Sequence, residues 1–111
     1  MVRRFTGLGF DVNKRDFTGS IPLHTAAFYG FVDIIDFLAS QGSEVNVTNG
    51  ESETPLFRAV VGGQIEAVRR LYELGADINT RDKNGTSPLK MARLRDFKKI
   101  EDFLVQHGAV E

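Results

Sequence analysis

The sequence repeats itself every 33 residues, and this period restricts the possible folds more than any other feature of the chain. The identical residues that recur at this interval are Pro22, Pro55 and Pro88, Leu23, Leu56 and Leu89, Ala26, Ala59 and Ala92, and Gly42, Gly75 and Gly108. A fixed period of this length indicates supersecondary units that bury their apolar faces by stacking on one another. The 111 residues therefore divide, within a single domain (1–111), into a partial repeat (1–15), repeat one (16–48), repeat two (49–81) and repeat three (82–111).

Each repeat is predicted to contain two short antiparallel helices. Proline lacks the backbone N–H that the first turn of a helix leaves unbonded, so Pro22, Pro55 and Pro88 predict where the first helices begin. Thr54 and Ser87 come directly before two of these prolines and are candidate N-caps. In repeat one the second helix is indicated by apolar residues at helical spacing, namely Ile34, Ile35, Phe37 and Leu38.

Glycines predict where the helices end. Gly30 and Gly63 are expected to separate the two helices of repeats one and two. A left-handed glycine commonly closes a helix, and the residues expected to close the second helices are Gly42, Gly75 and Gly108. The segment that follows each of these glycines is predicted to be an extended turn.

This pattern resembles the ankyrin repeat, whose signature is close to D-x-x-G-x-T-P-L-H-x-A-A-x-x-G, followed by an apolar helix and G-A-D-V-N. Repeat one carries it in Asp16, Gly19, Pro22-Leu23-His24, Ala26-Ala27, Gly30, Gly42 and Val45-Asn46. Repeat two carries it in Thr54-Pro55-Leu56 and Gly75-Ala76-Asp77-Ile78-Asn79, and repeat three in Asp82, Gly85 and Ser87-Pro88-Leu89. The resemblance covers essentially the whole chain. It implies an all-α fold: an ankyrin-repeat solenoid of stacked helix-turn-helix units with extended, β-hairpin-like loops.

Four residues depart from the signature of the family. Ile21 stands where threonine is usual, and Ser52 stands where glycine is usual. Phe57 and Lys90 replace the usual histidine. The hydrogen bonds that the usual side chains make in the family are therefore in question in repeats two and three.

The first residues correspond to the second half of a repeat. At the same period Phe5 aligns with Leu38, and Val2, Phe5 and Leu8 are predicted to form the apolar edge of a short helix. Two explanations stay open: the chain is a piece of a longer array, or its first residues form a minimal half-cap. Self-association through this N-terminal edge is a further expectation.

The outer face of repeat three is predicted to be charged. Val32 and Ile35 are expected to contact the following repeat, because residues one turn apart share a helix face. In repeat three the same positions hold Lys98 and Glu101. Since a terminal repeat needs a polar outer face, we predict that repeat three is a C-terminal cap.

Composition argues against several classes of function. The chain has no cysteine, which excludes thiolate metal sites, disulfides and cysteine nucleophiles. The formal net charge is −1, and the four acidic residues of repeat one, which has no basic residue, interrupt any basic strip for nucleic acid. No apolar run reaches the length of a signal peptide or of a membrane span. We therefore expect no nucleic-acid or membrane partner, and an intracellular location in the cytoplasm, with the nucleus also open.

Only two histidines are available for catalysis or metal binding. The resemblance implies that His24 ties adjacent turns together, and His107, near the end of the last helix, is expected at the surface. Neither has further groups at the spacing of a catalytic triad or a metal site. We predict that the chain is not an enzyme and has no catalytic residue, no metal and no cofactor.

Ankyrin-like arrays bind proteins mainly through their loop tips and the exposed side of their first helices, which together form a concave surface. Carried over position by position, the expected protein-binding residues are Arg15, Phe17, Thr18, Phe28, Tyr29, Glu51, Glu53, Arg81, Lys83 and Arg95. Phe17, Phe28 and Tyr29 are the strongest candidates, because exposed aromatic side chains anchor protein interfaces. For Phe28, packing against a neighbouring repeat is the alternative.

The function implied by the resemblance is a non-catalytic protein–protein interaction module that binds a partner protein through its concave surface. The alternative is an accessory ankyrin segment of a larger enzyme or signalling protein, which positions a catalytic domain absent from this chain. The resemblance also marks Asn46 and Asn79 as candidates for hydroxylation, because they lie at the usual spacing from Leu38 and Leu71.

Overall fold

The structure, a computed structural model, describes residues 11–111. This part of the chain forms six helices and no β-strand: α1 (Pro22–Tyr29), α2 (Val32–Ser40), α3 (Pro55–Val61), α4 (Ile65–Glu73), α5 (Pro88–Leu94) and α6 (Lys98–Gln106). The all-α prediction is therefore confirmed for the described residues. The predicted N-terminal helix with Val2, Phe5 and Leu8 lies outside them.

The predicted helix starts are confirmed, since α1, α3 and α5 each begin at a proline. The N-caps are confirmed as well. The Thr54 hydroxyl accepts a hydrogen bond from the Phe57 N–H at 3.2 Å, and the Ser87 hydroxyl accepts one from the Lys90 N–H at 3.1 Å. Each cap satisfies one of the amides that the first turn leaves without a partner, which stabilises a short helix by about 1 kcal/mol.

The helices stack in two rows. The first helices α1, α3 and α5 pack side by side, and the second helices α2, α4 and α6 pack in a parallel row beneath them. Ala26, Ala59 and Ala92 are at most 4% exposed, and their small side chains allow the first helices to approach closely. The core between the rows is continuous and includes the fully buried residues Leu23, Ile35, Leu56, Val60, Val68, Leu71, Ile100 and Leu104.

The apolar stripe predicted for α2 is only half buried. Ile35 and Leu38 lie in the core, at 0% and 3% exposed. Ile34 and Phe37 are 47% and 44% exposed, so only the side of the stripe with Ile35 and Leu38 contributes to the core. Their counterparts in α6, Ile100 and Phe103, are 2% and 7% exposed, and the Phe103 ring contacts Tyr72 of the preceding repeat.

Three loop tips share one hydrogen-bonding design. The side-chain oxygens of Asp16, Asn49 and Asp82 each accept hydrogen bonds from the backbone amides two and four residues later. Short polar side chains that bond their own backbone in this way fix tight turns. Neighbouring tips are also joined by backbone hydrogen bonds, from Gly50 N–H to the Thr18 carbonyl at 2.9 Å and from Lys83 N–H to the Glu51 carbonyl at 3.0 Å.

The charged outer face of repeat three is held by ion pairs. The Lys98 side chain is 72% exposed and lies 3.8 Å from a carboxylate oxygen of Glu101, which also accepts a hydrogen bond from Arg93 at 3.0 Å. Hydrogen bonds from Arg93 hold the pKa of Glu101 below its ordinary value. The role of repeat three as a C-terminal cap stays a prediction.

Ser52 occupies a backbone conformation that favours glycine. Its φ is 61°, and the residues at the same place in repeats one and three are Gly19, with φ of 80°, and Gly85, with φ of 77°. An L residue with a side chain is disfavoured in this left-handed region by roughly 1 kcal/mol, whereas glycine adopts it readily.

We expect Ser52→Gly to raise the free energy of unfolding by about 1 kcal/mol, measured by urea denaturation. Gly85→Ser is the matched reciprocal variant, because a Cβ at Gly85 meets no atom within 4 Å and so adds backbone strain without a clash. It should lower the free energy of unfolding by a similar amount. Two changes of the same sign would contradict the explanation.

Candidate functional site

An open cleft lies between the loop tip of repeat one and α1. Its volume is about 250 Å³. It is lined by Asp16, Thr18, Ser20, His24, Thr25, Phe28, Tyr29 and Arg58. The cleft brings together three of the residues predicted for partner binding, Thr18 from the tip and Phe28 and Tyr29 from the end of α1.

Three aromatic rings are in contact at the end of α1. Phe28 and Tyr29 meet edge to face with ring centroids 5.0 Å apart, and Tyr29 stacks on Phe31 at 5.8 Å. Tyr29 is 56% exposed and Phe31 is 51% exposed. Phe28 is half-buried, and the Arg58 guanidinium of repeat two lies 4.5 Å above its ring. Phe28 therefore packs against the neighbouring repeat and lines the cleft at the same time.

Phe17 stands apart from this aromatic group. It lies at the loop tip of repeat one and is fully exposed. A fully exposed phenylalanine leaves its whole ring in water, and burial of that ring against a partner would be favourable by about 2 kcal/mol.

His24 joins repeat one to repeat two from inside the cleft. It is only 2% exposed. Its Nδ1 accepts a hydrogen bond from the Ile21 N–H at 3.1 Å, and its Nε2 lies 2.8 Å from the Glu53 carbonyl oxygen, to which it donates. These two bonds require the neutral ring with its proton on Nε2. Burial lowers the pKa of His24 below its ordinary value, in agreement with the neutral form and with the structural role predicted for it.

Two of the predicted charged residues hold the loops together. Arg15 donates to the carbonyl oxygens of Gly19 and Thr48, both at 2.7 Å. Arg81 donates to the carbonyl of Gly85 at 2.9 Å and to that of Glu111. Although both arginines are exposed, several of their donors are already used within the chain.

The predicted carboxylates also have partners within the chain. Glu51 lies 2.7 Å from the Lys83 ammonium, and this contact raises the pKa of Lys83. The Glu53 side chain is only 14% exposed and lies 3.6 Å from the guanidinium of Arg58, so it offers little surface to a partner protein. Arg95 is exposed, and no ion pair joins it to a carboxylate within residues 11–111.

Sequence reasoning missed several residues that border the cleft. Arg58, Thr25 and Phe31 were not among the predicted contact residues, although Arg58 and Thr25 line the cleft and Phe31 stacks on Tyr29. The repeat period contains the signal for one of them. Thr25, Arg58 and Met91 occupy the same place in their repeats, one turn before Phe28 and its counterparts, and so face the same side of the first helices.

The described residues contain no cluster of three or more histidine, cysteine, aspartate or glutamate side chains that could hold a metal ion. Within the same part of the chain, no helix has the length and apolar character needed to cross a membrane.

The helix pairs, the 33-residue period and the shared loop design agree with a comparison to known families. The family model for ankyrin repeats (3 copies) matches residues 1–82 and residues 23–111, which together span the whole chain. The chain belongs to the ankyrin repeat family. Ankyrin repeats are generally protein–protein interaction modules and are typically non-catalytic.

The two asparagines predicted as hydroxylation candidates bridge successive ankyrin repeats. Asn46 donates to the Gly75 carbonyl at 3.1 Å and accepts from the Asp77 N–H at 2.7 Å. Asn79 accepts from the Val110 N–H at 3.0 Å. Asn13 makes the same pair of bonds as Asn46, one repeat earlier. The side chains therefore have a structural role, and hydroxylation of Asn46 and Asn79 stays a prediction.

The buried neutral His24 predicts how stability depends on pH. Because its pKa is lowered by folding, the unfolded chain takes up the proton first as the pH falls below about 6.5. We expect melting temperatures to fall between about pH 7.5 and about pH 5.5, since the protonated ring would direct an N–H at the Ile21 N–H.

The matched variant is His24→Phe, because repeat two has Phe57 at the same position. This variant should be less stable at neutral pH, having lost both hydrogen bonds, and should lose much of the decline on acidification. An equal decline in the two proteins would assign the pH dependence to other groups.

Proposed function

We propose that this ankyrin repeat protein is a non-catalytic module that binds a partner protein through its concave surface. The concave surface comprises the loop tips and the exposed side of α1, α3 and α5. The observation that carries the proposal is the aromatic pair at the end of α1, where Phe28 and Tyr29 are in contact and both line an open cleft.

The aromatic group has the features of an interaction anchor. Tyr29 leaves about half of its surface in water, and Phe17 leaves all of it. Rigid aromatic side chains bury a large area on binding and lose little conformational entropy, so they contribute strongly to protein interfaces. The tips that carry Phe17 and border the cleft are held by backbone hydrogen bonds, so the surface is ordered before a partner binds.

The charged residues predicted for this surface fall into two groups, according to whether they already have partners within the chain. Arg95 has no ion pair among the described residues, so we propose it as a direct contact. Arg15, Arg81, Glu51, Lys83 and Glu53 already bond within the chain, and we propose that they chiefly fix the shape of the tips. The alternative function, an accessory segment that positions a catalytic domain of a longer protein, stays a prediction, as does a cytoplasmic location.

We expect the double variant Phe17→Ala/Tyr29→Ala to weaken partner binding by about tenfold or more, because both rings would lose their contact with the partner. The measurement is recovery of bound proteins from the native source, followed by titration of the recovered partner. Circular dichroism and the melting temperature should remain nearly unchanged, since neither ring lies in the core.

Phe37→Ala is the matched control, because Phe37 is the same residue type and is 44% exposed, but lies on a second helix. It should leave partner binding intact. A large loss of stability in the double variant would indicate that the two aromatic residues belong to the core. A loss of binding in the control would indicate that the partner contacts a surface other than the concave one.

A second candidate interaction is self-association through the N-terminal side of repeat one. Phe31 and Ile34 are 51% and 47% exposed, whereas Ile100, at the position of Ile34 in repeat three, is 2% exposed. An apolar cleft of about 430 Å³ borders both residues. Because this side has the same residue positions as the faces that stack inside the array, we propose that a second copy of the chain covers it.

Sedimentation velocity over a range of concentrations tests this second proposal. The chain should form dimers, and Ile34→Asp should keep it monomeric, because a carboxylate would be buried in the contact. Val105→Asp is the matched control, since Val105 is 50% exposed on α6, at the other end of the array. A chain that remains monomeric at all concentrations contradicts the proposal.

A further inference from the structure

The exposed side of the first helices carries one apolar residue per repeat. These residues are Phe28, Val61 and Leu94, which stand 33 residues apart and are called the apolar row below. Phe28 and Val61 are half-buried. Leu94 is 68% exposed, so most of its apolar side chain is in contact with water. The row runs from Phe28, which lines the cleft of repeat one, to Leu94 in repeat three.

The spacing of the row is fixed by how closely the first helices stack. At Gly62, which follows Val61, a Cβ would lie only 2.1 Å from the Phe28 carbonyl oxygen, so α1 and α3 are in direct backbone contact there. Packed helices have axes about 8–10 Å apart. Successive members of the row are therefore about 10 Å apart, and the row is about 20 Å long.

Basic side chains accompany the row in repeats two and three. Arg58 precedes Val61 by three residues, and Lys90 precedes Leu94 by four, so each cation lies on the same helix face as its apolar neighbour. Arg95 adds a third cation directly after Leu94. Neither Lys90 nor Arg95 forms an ion pair with a carboxylate of residues 11–111, whereas Arg58 contacts the largely covered Glu53. Repeat three therefore places two cations without an ion pair among the described residues beside Leu94.

We propose that the concave surface binds an acidic amphipathic α-helix of the partner protein, with apolar side chains seven residues apart seated on the apolar row. This inference rests on the proposed function and names the chemistry of the partner. A helix rises about 1.5 Å per residue, so seven residues advance about 10.5 Å, which matches the spacing between neighbouring members of the row. Carboxylates flanking the third apolar residue of the partner face Lys90 and Arg95.

A helix fits this surface better than an extended strand does. The concave wall is formed by α1, α3 and α5, whose backbone N–H and C=O groups are bonded within the helices. An extended segment lying on Phe28, Val61 and Leu94 would leave its own backbone groups facing apolar side chains without partners, which is unfavourable. A helix satisfies its backbone internally and presents only side chains.

Selection of peptides from a displayed random library on the intact chain tests the proposal. The peptides need about 14 residues or more, the length of a helix that spans the row. We expect selected peptides to have apolar residues at intervals of seven, an excess of glutamate and aspartate, and helical circular dichroism when bound. Their affinity should fall about tenfold with Leu94→Asp, because a carboxylate would then face the apolar residue of the peptide.

Charge reversal separates the electrostatic part of the proposal from simple hydrophobic contact. The double variant Lys90→Glu/Arg95→Glu should have about tenfold lower affinity for the acidic peptides. It should bind versions of these peptides with glutamate replaced by lysine more tightly than the unchanged chain does. Lys98→Glu/Lys99→Glu is the matched control, because these exposed lysines lie on α6, and it should leave both affinities nearly unchanged.

Two other outcomes distinguish failure of this inference from failure of the proposed function. Selected peptides that lose affinity with Phe17→Ala/Tyr29→Ala, but are extended, basic or without the interval of seven, would overturn the acidic helix and leave the concave binding surface in place. Peptides that bind equally well to the Phe17→Ala/Tyr29→Ala and Leu94→Asp variants would overturn both.

Discussion

The structure depends on the stacking of one repeat on the next. A pair of helices of seven to nine residues is too small to bury its own apolar side chains, so each pair gains its stability from the adjacent pair. The three buried alanines, Ala26, Ala59 and Ala92, allow this because they let the first helices approach closely. The same close approach sets the distance between successive exposed side chains of the first helices.

Polar contacts fix the register of this stack. The His24 ring joins its own backbone to the carbonyl of Glu53, and the Asn46 side chain joins two backbone groups of the following repeat. A buried and fully bonded polar group such as the His24 ring specifies one arrangement, because any displacement would leave it without partners. Alanine contacts alone would allow the helices to slide. The loop tips, joined by backbone hydrogen bonds, are held in line by the same constraint.

Residues that act locally were predictable from the sequence. Prolines at helix starts, hydroxyl caps and closing glycines act within a few residues of their own position, and each was found where it was expected. The site was less predictable. Arg15 and Glu53 were expected to be free for a partner, but Arg15 bonds to the Thr48 carbonyl and Glu53 is covered beside Arg58. The partner of Arg15 lies in the adjacent repeat and that of Glu53 lies in its own repeat, and the sequence signature of a repeat shows neither contact.

The sequence by itself determined the repeat period, the helix boundaries and the family, because these follow from local backbone chemistry repeated at one interval. Only the tertiary structure decided which apolar side chains are core and which are surface. Ile34 and Ile100 occupy the same place in their repeats, yet the first is exposed and the second is buried. The difference arises because burial requires a second element to pack against the residue. The position of a residue within its own helix does not determine which element packs there.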